Sequence, residues 1–257
     1  MEQFNCNVDI EEVENVGNYG KIICKNVVKS FIDDDGDISS YYTYVYNVRL
    51  KDGSLISDEW FDIYEYDRYG NCIIGFSKSN FECLQLKNIP SYCSGDMLHE
   101  QYTYRYGAIN SNGVLSVKSV YDRLTFNNEN SFTGYHNGRL GYIDSIDGHH
   151  ITPIVFTHAQ PFFENKAAVE FNGSMGYVDR KKTMRNPNNK TDYAISPKYD
   201  TAGDFENGCA EVSINGKLYI IDAKGDICLT NNSVEDRVNH QLKLKNYKKS
   251  NKANLTN

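Results

Sequence analysis

Apolar and polar residues alternate along much of this chain in runs of about six, and short glycine-bearing turns punctuate the runs. Ala167, Val169 and Phe171 alternate with Ala168 and Glu170, and Ala210, Val212 and Ile214 with Glu211 and Ser213. A period of two indicates strands rather than helices. Asn172-Gly173 and Asn215-Gly216 sit between such runs. This is a strong hairpin signal, because a type I′ turn needs positive φ at both central residues. Asn137-Gly138 has the same dipeptide with weaker alternation before it. Folding at Asn172-Gly173 opposes Phe171 to Ser174, Val169 to Gly176 and Ala167 to Val178. Ala167, Val169, Phe171 and Val178 then share one face, and Glu170 and Met175 the other. The fold at Asn215-Gly216 groups Ala210, Val212, Ile214, Tyr219 and Ile221.

The pattern recurs. YGAIN (106–110), LGYID (140–144), MGYVD (175–179) and LYIID (218–222) are copies of one landmark, at steps of 34, 35 and 43 residues. The long step holds KKTMRNPNNKTD, polar and asparagine-rich, and predicts an exposed loop. A second turn follows each landmark. Asn110 to Gly113 and Asp222 to Gly225 place Asx first and glycine fourth, as a type I turn with a left-handed glycine requires. Asp144, Asp147 and Gly148 make a version one residue longer. The repeated aspartates therefore read as turn builders. Gly141 and Gly176 lie inside strands, which implies a bulge or a close backbone approach.

Self-similarity at this period predicts an all-β protein of tandem β-hairpin repeats, stacked as an elongated, solenoid-like array. A propeller-like closure is the runner-up, since blades need four strands. Residues 102–230 hold the clear repeats. Residues 1–101 read as a divergent β-rich region with one or two degenerate repeats and an acidic lead-in over 1–19. There, DGSLISDEWFDIYEYDRYGNCIIGF (52–76) lies on 147–171, with Ile56 on Ile151, Phe61 on Phe156 and Phe76 on Phe171. Residues 231–257 form a basic, Asn/Lys-rich tail, with a short helix predicted from an N-cap at Ser233.

The order of apolar-Gly-Tyr-Ile/Val-Asp, turn, Ile-x-Pro-x-Tyr-Asp, Phe-x-x-Gly-x-Ala-x-Val and Asn-Gly resembles the bacterial WG repeat family. ISPKYDTAGDFENGCAEVSINGKLYIID is the most specific stretch. The tryptophan that names the family is absent. Tyr106, Leu140, Met175 and Leu218 stand in its place, and Tyr219 replaces the glycine. The resemblance implies non-enzymatic repeat modules of unsettled function, found in cytoplasmic and exported bacterial proteins.

Composition narrows the class. The 20 Tyr and 12 Phe against one Trp suit pleated, half-wet surfaces. A net charge of −7 disfavours general nucleic-acid binding and admits a basic partner. The seven cysteines form an odd set without a CxxC pair, so a reducing compartment is expected, with Cys72 and Cys209 as small buried hydrophobes. The N-terminus carries no leader pattern and no apolar run is long enough for a membrane span, so the expected location is cytoplasmic.

Candidate chemistry is sparse. Asp33-Asp34-Asp35-Gly36-Asp37 is similar to a calcium loop, but EF-hand spacing puts Phe31 first and Tyr42 twelfth. Adjacent His149 and His150 point to opposite faces of extended chain, a poor metal clamp even with His158 nearby. No nucleophile elbow or phosphate loop is present, and neither a metal nor a cofactor is expected. Tyrosines remain. Tyr42, Tyr44 and Tyr46 alternate, as do Tyr102, Tyr104 and Tyr106, so each trio lines one strand face, either as a binding surface or as cover for the seam between repeats. The expected function is a protein-interaction module, immunity-type or inhibitory. The alternatives are a carbohydrate or cell-surface binder using the tyrosine rows, and an unrecognised hydrolase-like enzyme.

Overall fold

The computed structural model describes residues 10–32, 38–77 and 104–230. The acidic run 33–37, Tyr102 and the helix expected after Ser233 lie outside these. The described residues form an all-β protein of antiparallel sheets. The first sheet joins β1 (Ile10–Val16), β2 (Gly20–Ile32) and β3 (Ile38–Leu50). The second runs β4 (Ile63–Tyr66), β5 (Cys72–Ser77), β6 (Tyr104–Ile109) and β7 (Leu115–Tyr121). The third holds β8 (Arg123–Asn127), β9 (Ser131–His136) and β10 (Arg139–Asp144), and the fourth β11 (His158–Ala159), β12 (Lys166–Phe171), β13 (Ser174–Asp179) and β14 (Ile195–Tyr199). The last comprises β15 (Thr201–Ala202), β16 (Cys209–Ile214), β17 (Lys217–Asp222) and β18 (Ile227–Thr230). Strands follow chain order in every sheet, so each is a meander around a central hairpin. The repeating unit is thus larger than a two-stranded ribbon, because further strands flank the hairpin, on both sides in the four-stranded sheets and on one side in the three-stranded ones.

Turn chemistry fixes the hairpins. Asn137, Asn172 and Asn215 take φ of 50°, 52° and 51°, and Gly138, Gly173 and Gly216 take 75°, 78° and 72°. Two-residue loops with both residues left-handed match strand twist. Phe171 pairs with Ser174, Val169 with Gly176 and Ala167 with Val178, the register read from the sequence. At the second turns, Asn110 Oδ1 accepts from the amides of Asn112 and Val114, and Asp222 Oδ1 from those of Lys224 and Asp226. Gly148 and Gly225 are left-handed there, at 75° and 89°.

A third left-handed pair precedes several hairpins and is written in less obvious residues: Glu129-Asn130, Glu164-Asn165 and Asn207-Gly208. These turns link neighbouring repeats. The Glu129 carboxylate accepts from the Asn165 amide at 2.9 and 3.0 Å. The Glu164 carboxylate accepts from the amides of Asn207 and Gly208 at 2.6 and 2.7 Å. Arg180 then reaches back to the carbonyls of Glu129 and Asn130 and to the Asp144 carboxylate, at 2.7, 2.8 and 2.5 Å.

The in-strand glycines mark where chain crosses chain. A Cβ on Gly141 would lie 2.5 Å from the Pro153 carbonyl oxygen. One on Gly176 would lie 2.6 Å from Pro197 N, beside a register shift between Met175 and Tyr177. The segment after each of these hairpins presses against the strand at that point.

The structure divides into two compact units, Met1–Thr125 with Ser145–Gly148, and Phe126–Asp144 with His149–Asn257. In the first, Val16, Ile22, Val48, Phe61, Cys72, Ile74 and Ile109 form the core. In the second, hairpin β12–β13 is dry on both faces. Ala167, Val169 and Val178 join Tyr142, Phe156 and Phe162, while Ala168, Met175 and Tyr177 join Tyr199, Phe205 and Val212. The Tyr142 hydroxyl donates to the Gln160 carbonyl at 2.5 Å, and that of Tyr177 to the Gly203 carbonyl at 2.7 Å. Burial raises the pKa of both phenols. The insertion 181–192 is mostly exposed but anchored by buried Met184, and its Asp192 carboxylate accepts from the amides of Arg185 and Asn186.

Two stability outcomes follow from the turns and crossings. Gly216→Val is expected to cost about 1–3 kcal/mol in denaturant unfolding, by forcing a β-branched residue to positive φ; a loss below about 0.5 kcal/mol contradicts that assignment. Tyr177→Phe is expected to cost about 1–2 kcal/mol, because the Gly203 carbonyl loses its donor in a dry site.

Candidate functional site

The first hairpin is a copy of the others with one addition. Tyr46 bridges Phe61 as Leu140 bridges Phe156, and Arg49 bridges Leu55 as Ile143 bridges His150. In both copies the landmark residue and the phenylalanine exchange backbone hydrogen bonds. Tyr46 therefore occupies the landmark position. Phe61 and Phe156 are both fully buried, and Asn47 stands where Gly141 does. Asn47 has a side chain at the crossing but makes it fit. It is wholly buried, and its Nδ2 donates to the carbonyls of Ser57 and Glu59 at 2.9 and 3.2 Å. A landmark without glycine hid the hairpin of this copy from sequence reading, although laying 52–76 on 147–171 matches Phe61 to Phe156.

The addition is an arm. Strands β10, β13 and β17 begin one residue before their landmarks, directly after the Asn-Gly turn. Strand β3 begins at Ile38, eight residues before Tyr46, and stays paired with β2 from Gly20↔Leu50 to Ile32↔Ile38 without a register shift. Among the described residues, which start at Ile10, β1 accompanies β2 as far as Lys25. Beyond Lys25 the described chain is a two-stranded ribbon.

Tyrosines 42, 44 and 46 share one face of that ribbon, and their exposure rises along it. Tyr46 packs edge-on against Tyr64, centroids 4.9 Å apart, and lies 6.5 Å from Phe61 in the core of the first unit. Tyr44 is 49% exposed and Tyr42 79%. Opposite Tyr42 stands Val28, 56% exposed, and opposite Tyr44 the exposed Asn26. Tyr46 thus covers a seam, while Tyr44 and Tyr42 present rings to solvent. Tyr104 is different. It lies half-buried on β6, inside a four-stranded sheet, its ring 6.2 Å from that of Tyr106.

Charge near the base of the arm is tied up. Lys21 and Arg49 both reach the Glu12 carboxylate, at 2.6 and 3.5 Å. Glu14 accepts the hydroxyls of Tyr64 and Tyr66, each at 2.7 Å. Those bonds, from Tyr66 first and then Tyr64, hold its carboxyl below the ordinary value of 4.5.

The other candidates resolve into structure. The turn residues Asn137, Gly138, Gly148, Asn172, Gly173, Asn215, Gly216 and Gly225 shape backbone. Cys72 and Cys209 are fully buried, and burial pushes the Cys72 thiol up to about 12, far from thiolate chemistry at neutral pH. His149, His150 and His158 are exposed. No helix among the described residues is long and apolar enough to cross a membrane.

The sequence profile of the WG containing repeat matches residues 141–174 and 188–217. Those segments carry WG repeats. The first runs from the β10 landmark through β12 and the Asn172-Gly173 turn to the first residue of β13, and the second through β14 to β16 and the Asn215-Gly216 turn to the first residue of β17. The comparison with curated proteins finds no match.

The Glu14 tie gives a pH dependence. A carboxyl depressed in the folded state adds stability that is present above its unfolded pKa and lost as pH falls through the folded one. Unfolding followed from pH 7 to pH 3 is therefore expected to show Glu14→Gln less stable than the parent at neutral pH, with the gap closing in acid. A gap constant across that range contradicts the assignment.

Proposed function

We propose that this WG-repeat protein acts by binding a protein partner, and that the arm of β2 and β3 carries the contact. The exposed tyrosine row supports this reading: Tyr44 and Tyr42 continue a buried aromatic face into solvent, flanked by Val28. Tyrosine gives large contact area at small conformational cost, and such rings dominate binding energy at interfaces. Hairpins β9–β10, β12–β13 and β16–β17 close in two-residue turns and carry no such arm. A basic partner suits its chemistry. Asp33, Asp34, Asp35 and Asp37 join β2 to β3, and the chain carries −7 overall. An inhibitory or immunity-type role against a basic protein fits that pairing of aromatic and acidic groups.

Asn26 favours a second reading, a glycan. An amide beside a solvent-facing ring offers the stacking surface and hydrogen bonds that sugars use.

The test is capture from native lysate by the parent protein and by a Tyr42→Ala/Tyr44→Ala variant, with a glycan array in parallel. The expected result is a stoichiometric partner whose affinity falls at least about tenfold in the variant and weakens at high salt. Equal capture by both proteins removes the arm from the interface. Loss of glycan signals alone in the variant moves the assignment to sugars.

A further inference from the structure

We infer that the outer edge of β3 pairs antiparallel with β3 of a second copy of this chain, about a two-fold axis near Tyr41. The Tyr46 amide donates to the Phe61 carbonyl at 2.7 Å and its carbonyl accepts from the Phe61 amide at 2.9 Å, so the backbone groups of Tyr46 face away from β2. Peptide orientation alternates along an antiparallel strand, and the pairing with β2 runs from Gly20↔Leu50 to Ile32↔Ile38 without a shift. Ile38, Ser40, Tyr42 and Tyr44 therefore also turn their amides and carbonyls outward. Among the described residues no strand pairs with that stretch of edge. Among the described residues the Tyr44 carbonyl meets the Thr43 hydroxyl, at 3.5 Å.

The two edges of this sheet are treated differently. β1 carries Glu11, Glu12 and Glu14 and a register shift at Val13, the devices that keep an edge from recruiting another strand. β3 carries none. From Ile38 to Asn47 it holds no charge, no proline and no glycine, and it is rich in tyrosine.

The absence of charge argues for a second copy rather than a different protein. A two-fold axis sets each residue's own surroundings against itself, so any charge near the axis meets its like. A neutral strip lets a chain of net charge −7 approach itself without like charges meeting at the axis. The register follows from geometry. The four outward residues are symmetric about Tyr41, so Ile38 opposite Tyr44 and Ser40 opposite Tyr42 uses all of them, and stops where Tyr46 is already bonded to Phe61. One sheet then runs through both copies, with the exposed tyrosines of both on it. The pairing uses backbone edge, whereas the proposed partner contact uses ring face, so either can fail alone.

The test is mass by light scattering on the full chain, with far-UV circular dichroism and thermal melting to confirm folding. The parent is expected to be dimeric. Tyr42→Pro removes an outward N–H and leaves the ladder to β2 intact, and is expected to give a folded monomer, with dissociation at least about 100-fold more favourable. Tyr42→Ala, which deletes the ring but keeps the amide, is expected to stay dimeric while losing the partner contact. Tyr41→Cys, in a chain with Cys6, Cys83, Cys93 and Cys228 changed to Ser, is expected to form an intermolecular disulfide, because facing residues of a non-hydrogen-bonded pair lie about 4.5 Å apart at Cα. A parent that stays monomeric up to about 1 mM, a dimer that survives Tyr42→Pro, or open-ended aggregation each overturns the proposal. Should Tyr42→Pro not fold, absence of the Tyr41→Cys cross-link overturns it.

Discussion

A two-stranded hairpin has two faces and cannot dry both by itself, and the second unit is organised around that constraint. β12–β13 alternates small and large apolar residues on each face, so Ala167, Val169 and Val178 enter one core while Ala168, Met175 and Tyr177 enter the next. Removing one such hairpin from water needs a neighbour on each side, so stability is shared between repeats rather than held within them. The buried hydroxyls of Tyr142 and Tyr177 follow the same logic. Each is a large ring carried into a dry seam, and each meets a backbone carbonyl of the segment that follows.

The same close approach explains what glycine does at the landmark and what happens without it. Gly141 and Gly176 admit a crossing backbone with no room for a methyl group. Asn47 solves the problem in the opposite way, by holding the crossing chain with its own amide. One position thus accepts either no side chain or one that replaces the lost contact with hydrogen bonds. Tyr219 shows a third solution, since there the neighbouring strand β18 pairs at Thr230 in ordinary ladder register.

Much of the fold was legible because its turns are chemically explicit. Asn-Gly at 172–173 and 215–216 sets register to the residue, and the Asx-to-Gly turns were readable for the same reason. The turns at Glu129-Asn130 and Glu164-Asn165 were not, because glutamate at positive φ carries no local signature; its reward is a carboxylate bond to a turn more than thirty residues away. Flanking strands such as β11 and β15 are two residues long and exist only through tertiary contact. The tyrosine row shared a face as its alternation required, but alternation does not report depth. The gradient from half-buried Tyr46 to Tyr42 depends on how far the Tyr64 and Phe61 rings reach along that face, which is a property of distant stretches of chain.

The carboxylate bonds between successive Glu-Asn turns have a consequence for how this architecture can lengthen. Glu129 and Glu164 each hold the next such turn within a bond length, so along that rim the pitch between repeats in the second unit is locked. Extra chain is accommodated without breaking those bonds: 181–192 follows β13 directly after Arg180, whose amide donates to the Asn165 carbonyl at 2.8 Å. In the second unit lengthening therefore leaves the Glu-to-turn bonds at their spacing, as 181–192 does by looping out between β13 and β14 while Arg180 stays tied to Glu129 and Asn130.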